Sequence, residues 1–561
     1  MFDAIVVGSG MSGGISAKEL CERGLKVLVI ERGRKLVHGE SYTDMVQPWD
    51  EPNAGMVPEE DLARHYMIQK NSFISGTTKQ YWVKDDENPY SFPEGKPFYW
   101  IRGYHLGGRS IMWGRQSYRL SPQDFEANAK DGHGSDWPIR YDDLAPWYSH
   151  VEKFIGVSGS QEGLPQLPDG EFLPPFGLND AELQFKAAVE KAFPGRKVIP
   201  GRTANLSKAQ PHHEELGRSS CQARSFCDRG CTYGAYHSSL SSSLPAADRT
   251  GNLTIVTDAI VHSLVHDPKS GRVTGVRVID ANTKAGKTYE AKVVFLNAST
   301  IGTAQILLNS KSDAMPRGLA NSSDMVGRNL MDHLFALSVA GFMPNAPKDS
   351  YYHGRRPNGI YIPRFRNVTE PGDFLRGYGY QGGLTRLGWR TAALTSPGIG
   401  AELKERTHKL GPWLSFVSGF GEMLPNPENR VTLSKTKVDK WGIPLVEVNC
   451  SHGPNELKMA KQIIEDGKAM IQAAGGFVVN AATEPGVPGL GIHEMGTACM
   501  GKDPKNSVLN KYNKAHDVPN LFITDGAAMA SSGCQNPSLT YMALSARAAH
   551  HATEFLKAGV I

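Results

Sequence analysis

The chain has 561 residues, more than one compact core accommodates, which predicts two domains whose segments can interleave along the sequence. A net charge of +4 with 21% charged residues, without long basic runs, gives no footing for nucleic acid and leaves a small molecule as the expected partner. Seven cysteines is an odd number, and Cys21, Cys450, Cys499 and Cys534 lie far apart, which argues against a disulfide scaffold; no apolar run reaches the length of a membrane span.

The first segment, "DAIVVGSGMSGGISAKELCERGLKVLVIER", reads as strand, glycine turn, helix and strand. Gly8 permits the tight turn, Gly10 lets the backbone approach a pyrophosphate, and Gly13 lets the helix pack close to the strand. The helix N-terminus faces the phosphate charge, and Glu31, ending the second strand, is placed to accept hydrogen bonds from ribose hydroxyls. Strand, helix, second strand and terminal acid together predict a dinucleotide site, although this unit alone does not separate NAD from FAD. Cys21, between apolar neighbours on the helix, reads as a core residue. The N-terminus enters its first strand at once, with no basic region or cleavage site of an export signal.

Residues 39–97 are polar, rich in acids, prolines and aromatics, and show no period, as expected of a cover over a cofactor or a surface for a partner. Further on, "CQARSFCDRGC" places Cys221, Cys227 and Cys231 at the spacing C-x5-C-x3-C. Thiols this close are reactive, paired in a disulfide, or bound to metal. Structural zinc takes four ligands, usually from two close pairs; no second pair is present, and His212, His213 and His237 are the residues that could complete such a set. "LTIVTDAIVHSLVHDPKSGRVTGVRVID" alternates and turns at "DPKSG", predicting a meander of short strands. A buried strand "KVVFLNAS" and a helix "TIGTAQILLNS" follow. From about residue 340 to 486, strand-like runs such as "RVTLS" and "PLVEVN" predict a second, β-rich region.

Four motifs, "HLGGRSIMWGRQSYR" (His105–Arg119), "GLANSSDMVGRNLMDH" (Gly318–His333), "HEMGTACMG" (His493–Gly501) and "LFITDGAAMASSGCQNPSLTYMALSARAA" (Leu521–Ala549), resemble, in this order, the glucose-methanol-choline (GMC) family of FAD-dependent oxidoreductases. The resemblance implies an α/β protein, α+β overall. A Rossmann-like FAD-binding domain would comprise residues 1–36, 101–125, 200–334 and 487–561, and a discontinuous β-sheet substrate domain with cover segments residues 37–100, 126–199 and 335–486. It implies FAD contacts from Gly8, Gly10, Gly13, Glu31, Gly108 and Ser110, with Val256 near the adenine. Asp525 and Gly526 would approach the pyrophosphate, and Asn536, Pro537 and Thr540 the flavin ring. In related sugar oxidases a histidine in the "GG…W" segment links covalently to the flavin; Met112 stands there in this chain, which implies non-covalent FAD.

Oxidising an alcohol with a flavin requires removal of the hydroxyl proton while a hydride leaves the same carbon. The family's two active-site positions fall on His493 and Asn536. A neutral imidazole can accept the proton, and the amide can hydrogen-bond the oxygen as charge develops.

The cysteine spacing is similar to the cluster-binding segment of a bacterial subgroup of this family, FAD sugar dehydrogenases whose catalytic subunit carries a [3Fe–4S] cluster. That likeness implies that Cys221, Cys227 and Cys231 hold such a cluster and that electrons leave the flavin through it one at a time. It also implies a small partner subunit carrying the export signal, a haem-bearing acceptor such as a cytochrome c, and attachment to the membrane only through these partners. The expected location is the periplasm or inner-membrane surface, with the cytoplasm as alternative. The implied substrate is a pyranose sugar or glucoside whose secondary hydroxyl, at carbon 3, becomes a ketone. The competing readings are an oxygen-using sugar or alcohol oxidase of the same fold, in which a relay would be redundant, and a non-enzymatic FAD-holding subunit.

Overall fold

The computed structural model describes residues 2–47, 49–347, 357–388 and 398–561; residues 348–356 and 389–397, inside the span read as β-rich, lie outside the described residues. The chain opens with β1 (Phe2–Val7), helix α1 (Met11–Glu22) and β2 (Val27–Ile30), the two strands parallel with Ala4 opposite Val27 and Val7 opposite Ile30. Both strands are covered on both faces, so FDAIVV and VLVI are apolar without alternation. α1 lies close because Gly13 has no side chain: a Cβ there would stand 1.9 Å from the Gly8 carbonyl oxygen. Small β3 (Ile199–Pro200) follows after a long excursion.

The stretch read as one meander divides. β5 (Ala259–Asp267), β6 (Arg272–Asp280) and β7 (Gly286–Leu296) are antiparallel neighbours, but β4 (Leu253–Val256) leaves them and pairs in parallel with β2, Val256 opposite Ile30. Asp258, in the left-handed region at φ 53°, turns the chain between β4 and β5. The first sheet therefore runs β4-β2-β1-β7-β6-β5. The C-terminal half of β7 lies between β1 and a later parallel strand, and α2 (Thr300–Asn309) follows it.

The second sheet is antiparallel. Its members are β8 (His333–Phe342), β9 (Ile360–Ile362), β10 (Tyr378–Arg386) and β11 (Trp413–Glu422). Beyond them come a separate hairpin, β12 (Arg430–Val438) with β13 (Pro444–Asn449), then α3 (Pro454–Ala473) and β14 (Phe477–Ala481), giving the sheet order β14-β8-β11-β10-β9-β3. The chain closes with β15 (Leu521–Ile523), parallel to β7, and α4 (Ser538–Lys557), whose Ala548, Ala549 and Ala552 share a core with Ala17 and Leu20 of α1.

Two departures from the sequence reading concern the β-rich span. The 20-residue α3 lies within it: Met459, Ile463 and Met470 recur at helical spacing and are buried under the second sheet with Val339 and Val417. The hairpin β12–β13 and the helix Tyr141–Ile155, which the sequence boundaries assign to the substrate side, pack with the nucleotide side instead. Val431, Val446, Leu144 and Tyr148 belong to one core with Ile5, Val7 and Leu296, because the apolar faces of both segments turn toward the first sheet.

Candidate active site

A cavity of about 420 Å³ begins at the turn between β1 and α1. Gly8, at φ 93°, comes so near the next strand that a Cβ would stand 2.3 Å from Asn297 O. Gly10 faces open space: a Cβ there would meet nothing within 4 Å. It precedes α1 without a side-chain cap, so first-turn N–H groups are free to meet an anion. Gly108 closes over this turn, with Gly10 Cα at 3.4 Å from its Cβ position. Ser110 Oγ donates to Gly107 O at 2.5 Å, while Gly107 N donates to Ser9 Oγ at 2.8 Å.

Glu31 is buried beside the turn, accepting from Ser9 Oγ at 2.6 Å and Gly33 N at 2.9 Å; burial pushes its carboxyl above the ordinary range. Asp525 accepts from Thr303 Oγ1 at 2.6 Å and Ala527 N at 3.0 Å, and burial raises it to about 7. An uncapped helix end, a glycine open to the cavity and buried acids that organise the turn fit an extended dinucleotide such as FAD.

Some predicted contacts stand elsewhere. Val256 does not line the cavity: it is held in β4, its carbonyl accepting from Glu31 N at 2.9 Å, and residues 259–262 of β5 line the cavity instead. Gly13 packs inward against Gly8. Thr540 is engaged with Tyr148, hydroxyl to hydroxyl at 2.8 Å, and Pro537 precedes α4, whose Ser538 and Tyr541 reach the cavity. Gly526 and Met112 line it.

At the far end the structure brings His493 and Asn536 together, His493 Nε2 lying 3.3 Å from Asn536 Nδ2. Gln381 of β10 donates to Asn536 Oδ1 at 2.5 Å. His333, the first residue of β8, places Nδ1 2.8 Å from His493 Nδ1 and Nε2 2.8 Å from Gly533 O. Burial, with the positive charge of nearby Arg109, holds His493 well below the ordinary histidine range, so the ring is neutral at neutral pH.

The backbone around His493 is shaped by Asp332, which accepts from the N–H groups of Gly489, Gly491 and His493 at 2.9, 2.9 and 3.0 Å. Between them Ile492 sits at φ 61°, a left-handed conformation this set of bonds holds in place. Arg109 pairs with Glu494 at 2.8 Å. Sequence reasoning missed His333, Asp332, Gln381 and this ion pair. His333 and Asp332 close one quoted motif, Arg109 lies within another and Glu494 follows His493, so their positions carried a signal; Gln381, on an ordinary strand, carried none.

Cys221, Cys227 and Cys231 are half-buried and free, and all three line a small pocket with Tyr236 and Phe226. Ala223 and Ser225, at φ 52° and 71°, and Gly230, at φ 90°, fold the loop back on itself. Among the described residues no three His, Cys, Asp or Glu side chains are grouped so as to hold a single metal ion. Of the histidines that could have completed a zinc set, His212 and His213 are engaged with Lys153 O, and His237 Nδ1 lies 2.6 Å from Ser242 Oγ while its buried Nε2 has no partner. Arg115 joins the pocket to the main cavity, which it also lines; its guanidinium donates to Trp113 O at 2.5 Å and to Cys227 O at 3.4 Å.

Residues 2–335 match one family profile described as GMC oxidoreductase, and residues 425–545 a second. The chain belongs to the GMC oxidoreductase family. This GMC chain is 28% identical to the fructose dehydrogenase large subunit of Gluconobacter japonicus, over 99% of this chain and 98% of that protein. It is 29% identical to 2-methyl-1,2-propanediol dehydrogenase of Mycolicibacterium austroafricanum, over 97% and 94%. Pyridoxine 4-oxidase from Mesorbium loti has the same fold, with a TM-score of 0.60 over 98% of both chains at 16% identity. As a GMC oxidoreductase the protein is an FAD-dependent oxidoreductase acting on CH–OH groups.

Proposed function

We propose that this protein is a dehydrogenase that oxidises a secondary hydroxyl of a pyranose sugar or glucoside, at carbon 3, to a ketone, with His493 as base and Asn536 as the donor that steadies the oxygen. The observation that carries the chemistry is the pairing of a neutral, buried imidazole with an amide at the end of a cavity whose other end suits a dinucleotide. FAD held in this cavity would supply the hydride acceptor. His493 takes the hydroxyl proton, Asn536 Nδ2 hydrogen-bonds the oxygen, and Phe335 and Phe420 narrow the cavity beside them. A sugar as donor is supported by the likeness to the fructose dehydrogenase large subunit.

In the same reading Cys221, Cys227 and Cys231 hold a [3Fe–4S] cluster that passes electrons singly to a haem-bearing acceptor. The donor set fits: a three-iron cluster takes one thiolate at each iron and does not require the three sulfurs to meet at one ion. Burial, together with repulsion between neighbouring thiolates, raises Cys221 and Cys231, a cost that a cationic iron–sulfide core would offset. The likeness to a protein named as a large subunit supports a small partner chain. Such a partner would carry the export signal and place the complex in the periplasm; no helix among the described residues is long and apolar enough to cross a membrane.

The test is incubation with a panel of glucosides, with an artificial acceptor under argon and in parallel with oxygen as the sole acceptor, followed by NMR of the product. A 3-keto glycoside is expected; oxidation at another carbon, or turnover only with oxygen, would replace this reading with a different regiochemistry or with an oxidase.

A further inference from the structure

We infer that His333 is a positioning residue that fixes which ring nitrogen of His493 faces the substrate, an inference that rests on His493 being the base. The direction of one hydrogen bond decides the rest. Gly533 O, 2.8 Å from His333 Nε2, is a carbonyl and only accepts, so Nε2 carries the hydrogen. A neutral imidazole has a single N–H, which leaves His333 Nδ1 as a bare lone pair. His493 Nδ1, 2.8 Å away, must then be the donor. His493 Nε2 is left bare, directed at Asn536 Nδ2, itself an N–H donor at 3.3 Å, while Asn536 Oδ1 accepts from Gln381.

From Gln381 to Asn536, His493, His333 and Gly533 every link joins one donor to one acceptor in the same sense. The other His493 tautomer would set lone pair against lone pair at His333 and N–H against N–H at Asn536, and it would offer no base to the substrate. Burial keeps His333 neutral by lowering it to about 4. The charged groups facing the two rings are the Arg109–Glu494 pair and Asp332, and Phe420 lies beside both. In the reaction the O–H bond breaks with its proton passing to His493 Nε2, and the C–H bond breaks with its hydride passing to FAD. The resulting imidazolium keeps its Nδ1–H on His333.

The tautomer can be read directly in resting holoenzyme from the imidazole ¹⁵N spectrum of histidine-labelled protein, with the His493 signals identified by their loss in His493→Asn. A protonated Nδ1 and a bare Nε2 are expected; the reverse assignment overturns the inference. His333→Leu should keep its FAD, shift His493 toward the Nε2–H form, and lower kcat/KM for the sugar by about tenfold to a hundredfold, the loss expected when a buried donor is left unpaired. His333→Gln, whose amide can both donate to Gly533 and accept from His493, should recover most of that loss and the wild-type pH profile. Full activity in His333→Leu with the Nδ1–H form unchanged would overturn the role of His333. Full activity in His493→Ala would instead overturn the base assignment, while the spectra still decide the tautomer.

Discussion

The His493 end of the cavity and the cysteine loop are both built around groups that burial holds neutral, yet they are prepared for their tasks in different ways. Both ring nitrogens of His493 and of His333 have protein partners, and the chain of bonds ends on a backbone carbonyl. The three thiols share a small pocket in a loop that reverses through left-handed residues, and burial, helped by neighbouring charge, opposes ionisation of Cys221 and Cys231. The first site is organised by the protein alone; the second, in the proposed reading, is completed by a cationic iron–sulfide core. A change at one should therefore leave the other intact, which gives a set of experiments that separate hydride chemistry from electron exit.

The largest effect is expected from His493→Ala. Removing the base should lower turnover by roughly two to four orders of magnitude, while FAD content and the iron and acid-labile sulfide of the proposed cluster stay at wild-type levels. Rapid-reaction absorbance of the flavin on mixing with sugar measures the first and elemental analysis the second. Turnover near normal removes His493 from the mechanism, and loss of iron along with turnover would show that the two sites are not independent.

Cys227→Ser is the complementary break. A cluster short of one thiolate should be lost or depleted, so electron transfer to a haem acceptor should fall by at least about tenfold, whereas reduction of the flavin by sugar keeps its wild-type rate. Arg115, which bonds Cys227 O and lines the main cavity, is the physical connection across which this separation is tested. Zinc without iron in the purified complex, or undiminished delivery to the acceptor by Cys227→Ser, would make the loop structural.

The same two regions show what could be read from the sequence. Strand, glycine turn and helix at the N-terminus were legible because each step has a local cause: uninterrupted apolar strands, a turn that only glycine permits, and a helix packed where Gly13 has no Cβ. His493 and Asn536 were legible through their motifs, and their 3.3 Å approach joins residues far apart in sequence. Gln381 was not legible, because its role depends on where β10 lies across the cavity and its own neighbours do not mark it. Val256 stands outside the cavity lining for a related reason: β4 lies at the sheet edge, and after the left-handed turn at Asp258 residues 259–262 reach the cavity instead. The α3 pattern was present in the sequence at Met459, Ile463 and Met470 but was masked by strand-like neighbours on either side.

A smaller effect is expected at the nucleotide end. Glu31 gathers Ser9 and Gly33 around the turn proposed to meet the pyrophosphate, so Glu31→Ala should loosen that turn and remove the acceptor proposed for the ribose. Each lost hydrogen bond is worth about 1 kcal/mol or somewhat more beside a charge. FAD affinity, measured by flavin fluorescence on titrating apoprotein, should fall by about tenfold, with turnover at saturating FAD nearly unchanged. A variant that binds FAD as tightly as wild type would place the cofactor away from Glu31.

The smallest effect is an absence of change, and it distinguishes the two buried sites by sign. Burial destabilises the charged form of either group, so it pushes the Cys221 and Cys231 thiols up and His493 down. For a base that must be neutral, a lowered pKa moves the acid limb of the rate profile to lower pH. The kcat/KM for sugar should stay level as pH falls through 6.5, where an ordinary histidine would already be half protonated, and decline only in more acidic solution. In metal-free protein Cys221 and Cys231 should over the same range remain protonated and react slowly with iodoacetamide, reaching full rate only above the ordinary cysteine pKa of about 8.5. An acid limb centred at 6.5 or higher would mean that substrate-free His493 is solvated, and the buried, directed network described above would not be the state that meets the sugar.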